Sequence, residues 1–244
     1  MSIHKDHRQR VKARFATEGL DAFNEHQVLE LLLFYAIPQR DTNEIAHNLI
    51  NRFGSLSQVI DAPVKELVKV DGIAENAALF LSLIKQLDRY YHVNRAMKLS
   101  ILSSLHECGE YLVPFFNGRD YEVVFLLCLD AKCKVLSCRM VEEGSVNCTE
   151  VSIRKIVDIA LTDKATSVIL AHNHPSGFAT PSAEDVAMTI KIAKALQYVD
   201  VKLIDHIIVA DDDYISMVHS GMYQPELRRY ELTEGLYETD CLPG

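Results

Sequence analysis

Hydrophobic positions change their period near residue 100, and that change divides the chain. Before it the spacing is helical. Residues 25–35 are rich in leucine and end before Pro38. Asp41-Thr42 then cap a helix over 43–53, with Ile45, Ala46, Leu49 and Ile50 on one face and Gly54 at its end. Shorter apolar stretches cover 56–60 and 64–68, followed by a turn at Asp71-Gly72-Ile73-Ala74. A long helix starts at Glu75, and its spacing predicts a buried stripe of Ala77, Ala78, Leu81, Ile84 and Leu87. After a junction around 92–100, strand and helix patterns alternate. Residues 122–129 read as an apolar strand with one charge, Glu122, at its start; 130–132 as a hairpin turn; and 133–140 as the returning strand. An amphipathic helix over 152–161 presents Ile153, Ile156, Val157 and Ala160. The run Val168-Ile169-Leu170-Ala171 is a further strand, 183–198 a helix with Val186, Ala187, Ile190 and Ala193 toward the core, and 201–210 more strand. Residues 224–244 lack periodicity and are read as a flexible tail.

The expected organisation is α+β, with a helical domain over 1–95 and a strand-containing domain over 96–223. Charge is distributed unevenly between them. Residues 1–95 hold twelve Lys/Arg and twelve Asp/Glu, so the net −9 lies wholly in the second part. An acidic second domain is a poor match for a polyanion, so any nucleic-acid contact is expected from the helical part. Its one concentrated basic stretch, from Lys5 to Arg14, reads equally well as a solvated helix face. No apolar run approaches the roughly eighteen residues of a membrane span, and the charged N-terminus has no apolar segment behind it. Six cysteines without a regular framework fit reduced thiols, and the expected location is the cytoplasm. Cys128, Cys133 and Cys138 lie five apart, so they form no Cys-x-x-Cys knuckle and read as small buried hydrophobes.

The apolar run through Ala171 leads directly into His172-Asn173-His174-Pro175-Ser176-Gly177. Strand residues i and i+2 share a face, so both imidazoles can converge on one ion. Pro175 stops the strand, and Pro181-Ser182-Ala183-Glu184-Asp185 reads as a helix start from which Asp185 can swing back as a third ligand. Two nitrogens and one carboxylate suit one zinc ion per chain with a position left open, the pattern of a catalytic rather than a structural site. A lone His-x-His is a weak signal; the strand end, the turn and the carboxylate together strengthen it. Asp205-His206 reads as a buried hydrogen-bonded pair, with contact to the metal ligands as the alternative.

His172-x-His174-Pro175, Ser182 and Asp185 resemble the JAB/MPN (JAMM-type) metalloproteases. Residues 100–223 as a whole are similar to the bacterial RadC-type (UPF0758) branch, through 171–177, 181–185 and Asp205-His206-Ile207-Ile208-Val209. The resemblance implies a JAB/MPN (cytidine deaminase-like) domain with a mixed sheet flanked by helices. It implies a zinc-dependent hydrolase acting on a peptide or protein at peptide or isopeptide bonds. Glu122 is then the general base for a metal-activated water, and Ser182 a hydrogen-bond donor to the oxyanion. Taken alone, Glu122 is an ordinary solvated residue at a strand start, with Glu142, Glu143 and Glu150 as competitors in a loop-like segment. Ser182 is equally a good helix N-cap. The helix over 152–161 departs from the family, keeping only the arginine of a Pro-Arg-Glu triplet in Ile153-Arg154-Lys155.

Residues 67–77 are similar to a helix-hairpin-helix unit, in which a glycine-rich turn offers backbone amides to a phosphate. Ala74 replaces the second hairpin glycine, and Asp71 and Glu75 flank the turn. The alternative to a peptidase is therefore a DNA-associated accessory protein of repair or recombination type, contacting DNA through the helical domain, with a structural or vestigial metal.

Overall fold

The structure is a computed structural model, and it describes residues 3–98, 101–144, 151–175, 177–211 and 213–225. The chain forms two compact units, Met1–Asp88 and Arg89–Gly244. The first holds α1 (Ile3–Glu18), α2 (Glu25–Ala36), α3 (Asn43–Phe53), α4 (Leu56–Asp61), α5 (Val64–Leu67) and the start of α6 (Glu75–Ala96). The break thus falls inside α6, earlier than residue 95.

Helix ends in this unit are set by local chemistry. Gln27 reaches back to the Asn24 N–H at 3.2 Å, and Ser55 accepts from the Gln58 N–H at 3.2 Å. Arg8 donates to the carbonyls of Ile37 at 2.7 Å and Pro38 at 3.0 Å, placing a cation at the negative end of α2. The core gathers Leu29, Leu33, Leu49, Val59, Leu67 and Leu81. The stripe expected along α6 ends there: Ile84 is half-buried and Leu87 is exposed. Gly72 turns the chain into α6 with φ +87°, and a Cβ at this position would lie 2.7 Å from Ile45 Cδ1. Both backbone conformation and packing therefore require glycine there.

The second unit adds α7 (Leu105–Leu112), β1 (Val123–Leu129), β2 (Val135–Glu143), α8 (Ile153–Thr162), β3 (Ser167–Asn173), α9 (Ala183–Gln197), β4 (Lys202–Ala210) and β5 (Asp213–Ser216). The strands form one mixed sheet in the order β2-β1-β3-β4-β5. Only β3 and β4 are parallel, as expected for strands joined through a helix, here α9. Val124, Leu126, Cys128, Val168 and Leu170 pack with residues of α8 and α9 such as Ile156, Ile192 and Leu196. Phe125, Leu127, Ile169 and Ala171 pack on the other face with Cys108, Tyr111 and Leu112 of α7. Covered on both faces, β1 is buried along its whole length, which explains its unbroken apolar sequence.

Two local expectations need correction. The strand returning from the hairpin continues to Glu143, so Glu142 and Glu143 pair with Val124 and Val123 rather than lying in a loop. The strand expected over 201–210 is β4, Lys202–Ala210, with a register shift against β3 beside Asp205. The buried face of α9 is Asp185, Met188, Thr189, Ile192 and Leu196, whereas Ala187 and Ile190 are exposed. Val186 and Ala193 do pack against the core as expected, but two polar residues lie at the centre of the buried face, so an apolar count along the helix placed that face only in part. Glu150 and residues 226–244, most of the expected tail, lie outside the described residues. Among the described residues no helix is long and apolar enough to cross a membrane.

Candidate metal centre

His172 pairs with Val124 on one side and Ile208 on the other, near the end of β3 and on the sheet face that carries α8 and α9. The backbone stays extended for one more step, since the His174 N–H donates to the Val209 carbonyl at 2.8 Å. Period-two alternation therefore brings both histidines to one side. A turn closed by the Gly177 N–H and the His174 carbonyl at 3.2 Å then leads the chain toward α9.

Ser182 is the N-cap of α9 and accepts from the Asp185 N–H at 3.1 Å. Asp185 answers as the third residue of the helix: its Oδ2 accepts from the Ser182 N–H at 2.8 Å and the Ser182 hydroxyl at 2.6 Å. This reciprocal capping box fixes the carboxylate on a wholly buried side chain and turns it toward the histidines. His172 Nε2 lies 2.9 Å from His174 Nε2 and 3.2 Å from Asp185 Oδ1, and His174 Nε2 lies 3.5 Å from Asp185 Oδ2. Three ligand atoms about 2.1 Å from zinc on tetrahedral vertices lie about 3.4 Å apart. The His172 contact to Oδ1 and the His174 contact to Oδ2 lie near that value, the histidine–histidine contact is shorter, and the donor set of two imidazole nitrogens and one carboxylate suits such an ion. Among the described residues, His172, His174 and Asp185 are the one group of this kind able to hold a metal.

The surroundings are organised as closely as the trio. His174 Nδ1 lies 2.9 Å from the Phe178 carbonyl, which only accepts, so Nδ1 carries the proton of the neutral ring and Nε2 keeps its lone pair until a second proton binds there facing Asp185. The His174 pKa is raised, chiefly by the hydrogen bond to Asp185, with further help from the Phe178 carbonyl and the charges of Asp185 and Glu122; burial opposes the rise. His206, fully buried on β4, sits 2.8 Å from His172 Nδ1. Burial first, then the neighbouring His172, drives its pKa well below the ordinary value, so it is neutral. His206 is thus buried and hydrogen-bonded, and its partner is His172, one of the three candidate ligands.

Glu122 immediately precedes β1 and is half-buried. It stands apart from the trio, sensed by His174 as a neighbouring charge. Its backbone is clamped. The Asn173 side chain accepts from the Val123 N–H at 2.8 Å and donates to the Tyr121 carbonyl at 3.0 Å, gripping the residues on either side of Glu122. Asn173 lies between the two histidines in sequence but faces the other way, which is how the strand that presents the ligands also fixes the neighbouring glutamate. Sequence reasoning missed Asn173 and Thr189; a polar residue opposite two histidines, and a threonine one turn after Asp185, were the available signals. Where the family triplet has its acid, Lys155 donates instead to the Val141 carbonyl on β2.

Comparison with known proteins agrees with this architecture. A family model described as a RadC-like JAB domain matches residues 102–222. A UPF0758 protein of Fusobacterium nucleatum subsp. nucleatum is 32% identical over 226 residues, covering 90% of this chain and 97% of the relative. The sheet, the histidine strand and the capped carboxylate all fall within the matched segment, and the chain belongs to the RadC (UPF0758) family.

Proposed function

We propose that this protein is a zinc-dependent hydrolase of peptide or isopeptide bonds, acting on a peptide or protein substrate in the cytoplasm. The observation that carries the reading is the convergence of His172 Nε2, His174 Nε2 and the Asp185 carboxylate, with contacts of 2.9, 3.2 and 3.5 Å, beside a separately clamped Glu122. Zinc at that point supplies Lewis acidity and an acidified water at neutral pH. The protein's own groups do the rest. Glu122, held by the Asn173 clamp but outside the ligand trio, takes a proton from the attacking water and returns it to the leaving amine. Ser182 orients Asp185 at rest, and its hydroxyl, turned from that carboxylate, donates to the oxyanion.

The helix-hairpin-helix reading of 67–77 belongs to the same proposal as a structural module. Val64–Leu67, the Gly72 turn and the start of α6 supply its parts. Gly72 is explained by packing against Ile45, and Asp71 and Glu75 flank the turn, so DNA contact is left out of the proposed function.

The test compares the zinc-loaded wild type with Glu122→Gln on mixed peptide and isopeptide-linked substrates. Turnover should fall by about a hundredfold or more in the variant with zinc content unchanged. Equal turnover removes Glu122 as base, and a zinc-loaded wild type that cleaves nothing removes the peptidase.

A further inference from the structure

Thr189 lies one helical turn after Asp185 on the buried face of α9, and its hydroxyl has two close neighbours. Oγ1 is 2.6 Å from the Asp185 carbonyl oxygen and 2.6 Å from His206 Nδ1. A hydroxyl has one proton, and a carbonyl can only accept. Giving the proton to His206 would leave two oxygens facing each other at 2.6 Å. The proton therefore goes to the carbonyl, where Met217 Sδ at 3.6 Å is a poor competitor. His206 Nδ1 must then be the donor to Thr189, which in the neutral imidazole leaves His206 Nε2 as an acceptor. Its partner at 2.8 Å is His172 Nδ1, which must carry a proton in turn. Neutral His172 consequently presents the lone pair of Nε2 toward His174 and Asp185.

We propose that Thr189 and His206 are positioning residues that set the tautomer of His172, so that the α9 helix, which supplies the Asp185 ligand, also dictates which nitrogen of His172 is free to bind metal. The proposal rests on the metal reading above. It accounts for a contact that is otherwise unfavourable: two imidazole Nε2 lone pairs 2.9 Å apart, each fixed from behind by a hydrogen bond at Nδ1. Only a cation or a proton placed between them relieves that contact. It also explains why a threonine and a histidine with no surface exposure interrupt two apolar elements. Orientation of a metal-bound histidine through its second nitrogen is a general device, and here it is closed into a loop: the relay that starts at one ligand residue ends on the backbone of another.

The experiment has two independent arms. Long-range ¹H–¹⁵N spectra of the metal-free protein near pH 8 report the tautomer of each ring; His172, His174 and His206 should all be protonated at Nδ1. A His206 protonated at Nε2 overturns the relay without reference to zinc. In the second arm, zinc affinity is measured by competition with a chromophoric chelator for the wild type, Thr189→Val and Thr189→Ser. The valine, nearly isosteric but without the hydroxyl, should bind zinc about ten- to a hundredfold more weakly, and the serine close to wild type. Wild-type affinity in the valine variant, or equal losses in valine and serine, overturns the proposal. A wild type that takes up no zinc defeats the metal reading itself and with it any metal-orienting role, while the spectra still decide the direction of the relay. Should the valine variant fail to fold, the wild-type spectra and the serine variant still decide the outcome.

Discussion

Replacing Asn173 with alanine removes both grips on the chain around Glu122, and the two losses differ in cost. The Val123 N–H belongs to a residue with no solvent exposure, and its partner is Asn173 Oδ1. A buried donor left without an acceptor costs about 1–3 kcal/mol. The Tyr121 carbonyl belongs to an exposed residue, so water can take over from Asn173 Nδ2 and the loss there stays below about 1 kcal/mol. Asn173→Ala should therefore destabilise the second unit by about 2–3 kcal/mol, which a urea slope of about 2–3 kcal/mol/M turns into a midpoint about 1 M lower. Urea melts followed by hydrogen exchange at the Val123 amide make the test specific, because that amide should lose protection more than its neighbours in β1. Asn173→Asp sharpens it. An aspartate keeps one acceptor for Val123 but brings a second oxygen to the Tyr121 carbonyl, where only the protonated acid can donate. That variant should approach wild-type stability as pH falls and depart from it as pH rises. A loss under about 0.5 kcal/mol in the alanine variant, with Val123 exchange unchanged, would refute the clamp.

Other outcomes follow from the same geometry. In Asp185→Asn the amide oxygen can still accept from the Ser182 N–H and hydroxyl, so the zinc-free protein should melt within a few degrees of wild type. Zinc at a hundred times the wild-type Kd stabilises that protein by about 2.7 kcal/mol, worth about 5–11 °C for a unit of this size, and the asparagine variant should lose most of that shift in scanning calorimetry. The elevated His174 pKa fixes a pH dependence. A group whose pKa is raised on folding stabilises fully below its unfolded value, near 6.5, and the contribution is lost as pH rises through the folded value. Asp205, pushed up by burial to about 6, and His206, held low, no longer titrate much above pH 7. Zinc-free protein should therefore lose stability from about pH 7 upward, while zinc affinity climbs over the same range as the proton leaves His174. Zinc-free melts that rise with pH in that window would contradict the assignment.

The candidate ligands were legible because strand period and helix capping are local. His172 and His174 lie two apart at the end of an apolar run, and Ser182 through Asp185 is a helix start; each follows from a few neighbouring residues. The supporting groups were not legible, because their partners are distant in sequence. Asn173 meets Tyr121 and Val123 only once β1 pairs with β3, and Thr189 meets His206 only once α9 packs on β4. The partly misread face of α9 has the same origin. Asp185 and Thr189 are buried polar residues, and a buried polar residue looks like a solvent-facing one to any apolar count. The turn at Gly72 was recognised as a turn, but its close approach to Ile45 became visible only with the packed helices. Ser182 takes its capping reading: its hydroxyl accepts from the Asp185 N–H and donates to the Asp185 carboxylate.

The central claim is that His172, His174 and Asp185 form one zinc site. Elemental mass spectrometry of the untagged protein, purified without chelator, tests it most directly. The account predicts about one equivalent of zinc per chain, falling to near zero in Asp185→Asn. A wild-type protein that remains free of metal after incubation with excess zinc contradicts it.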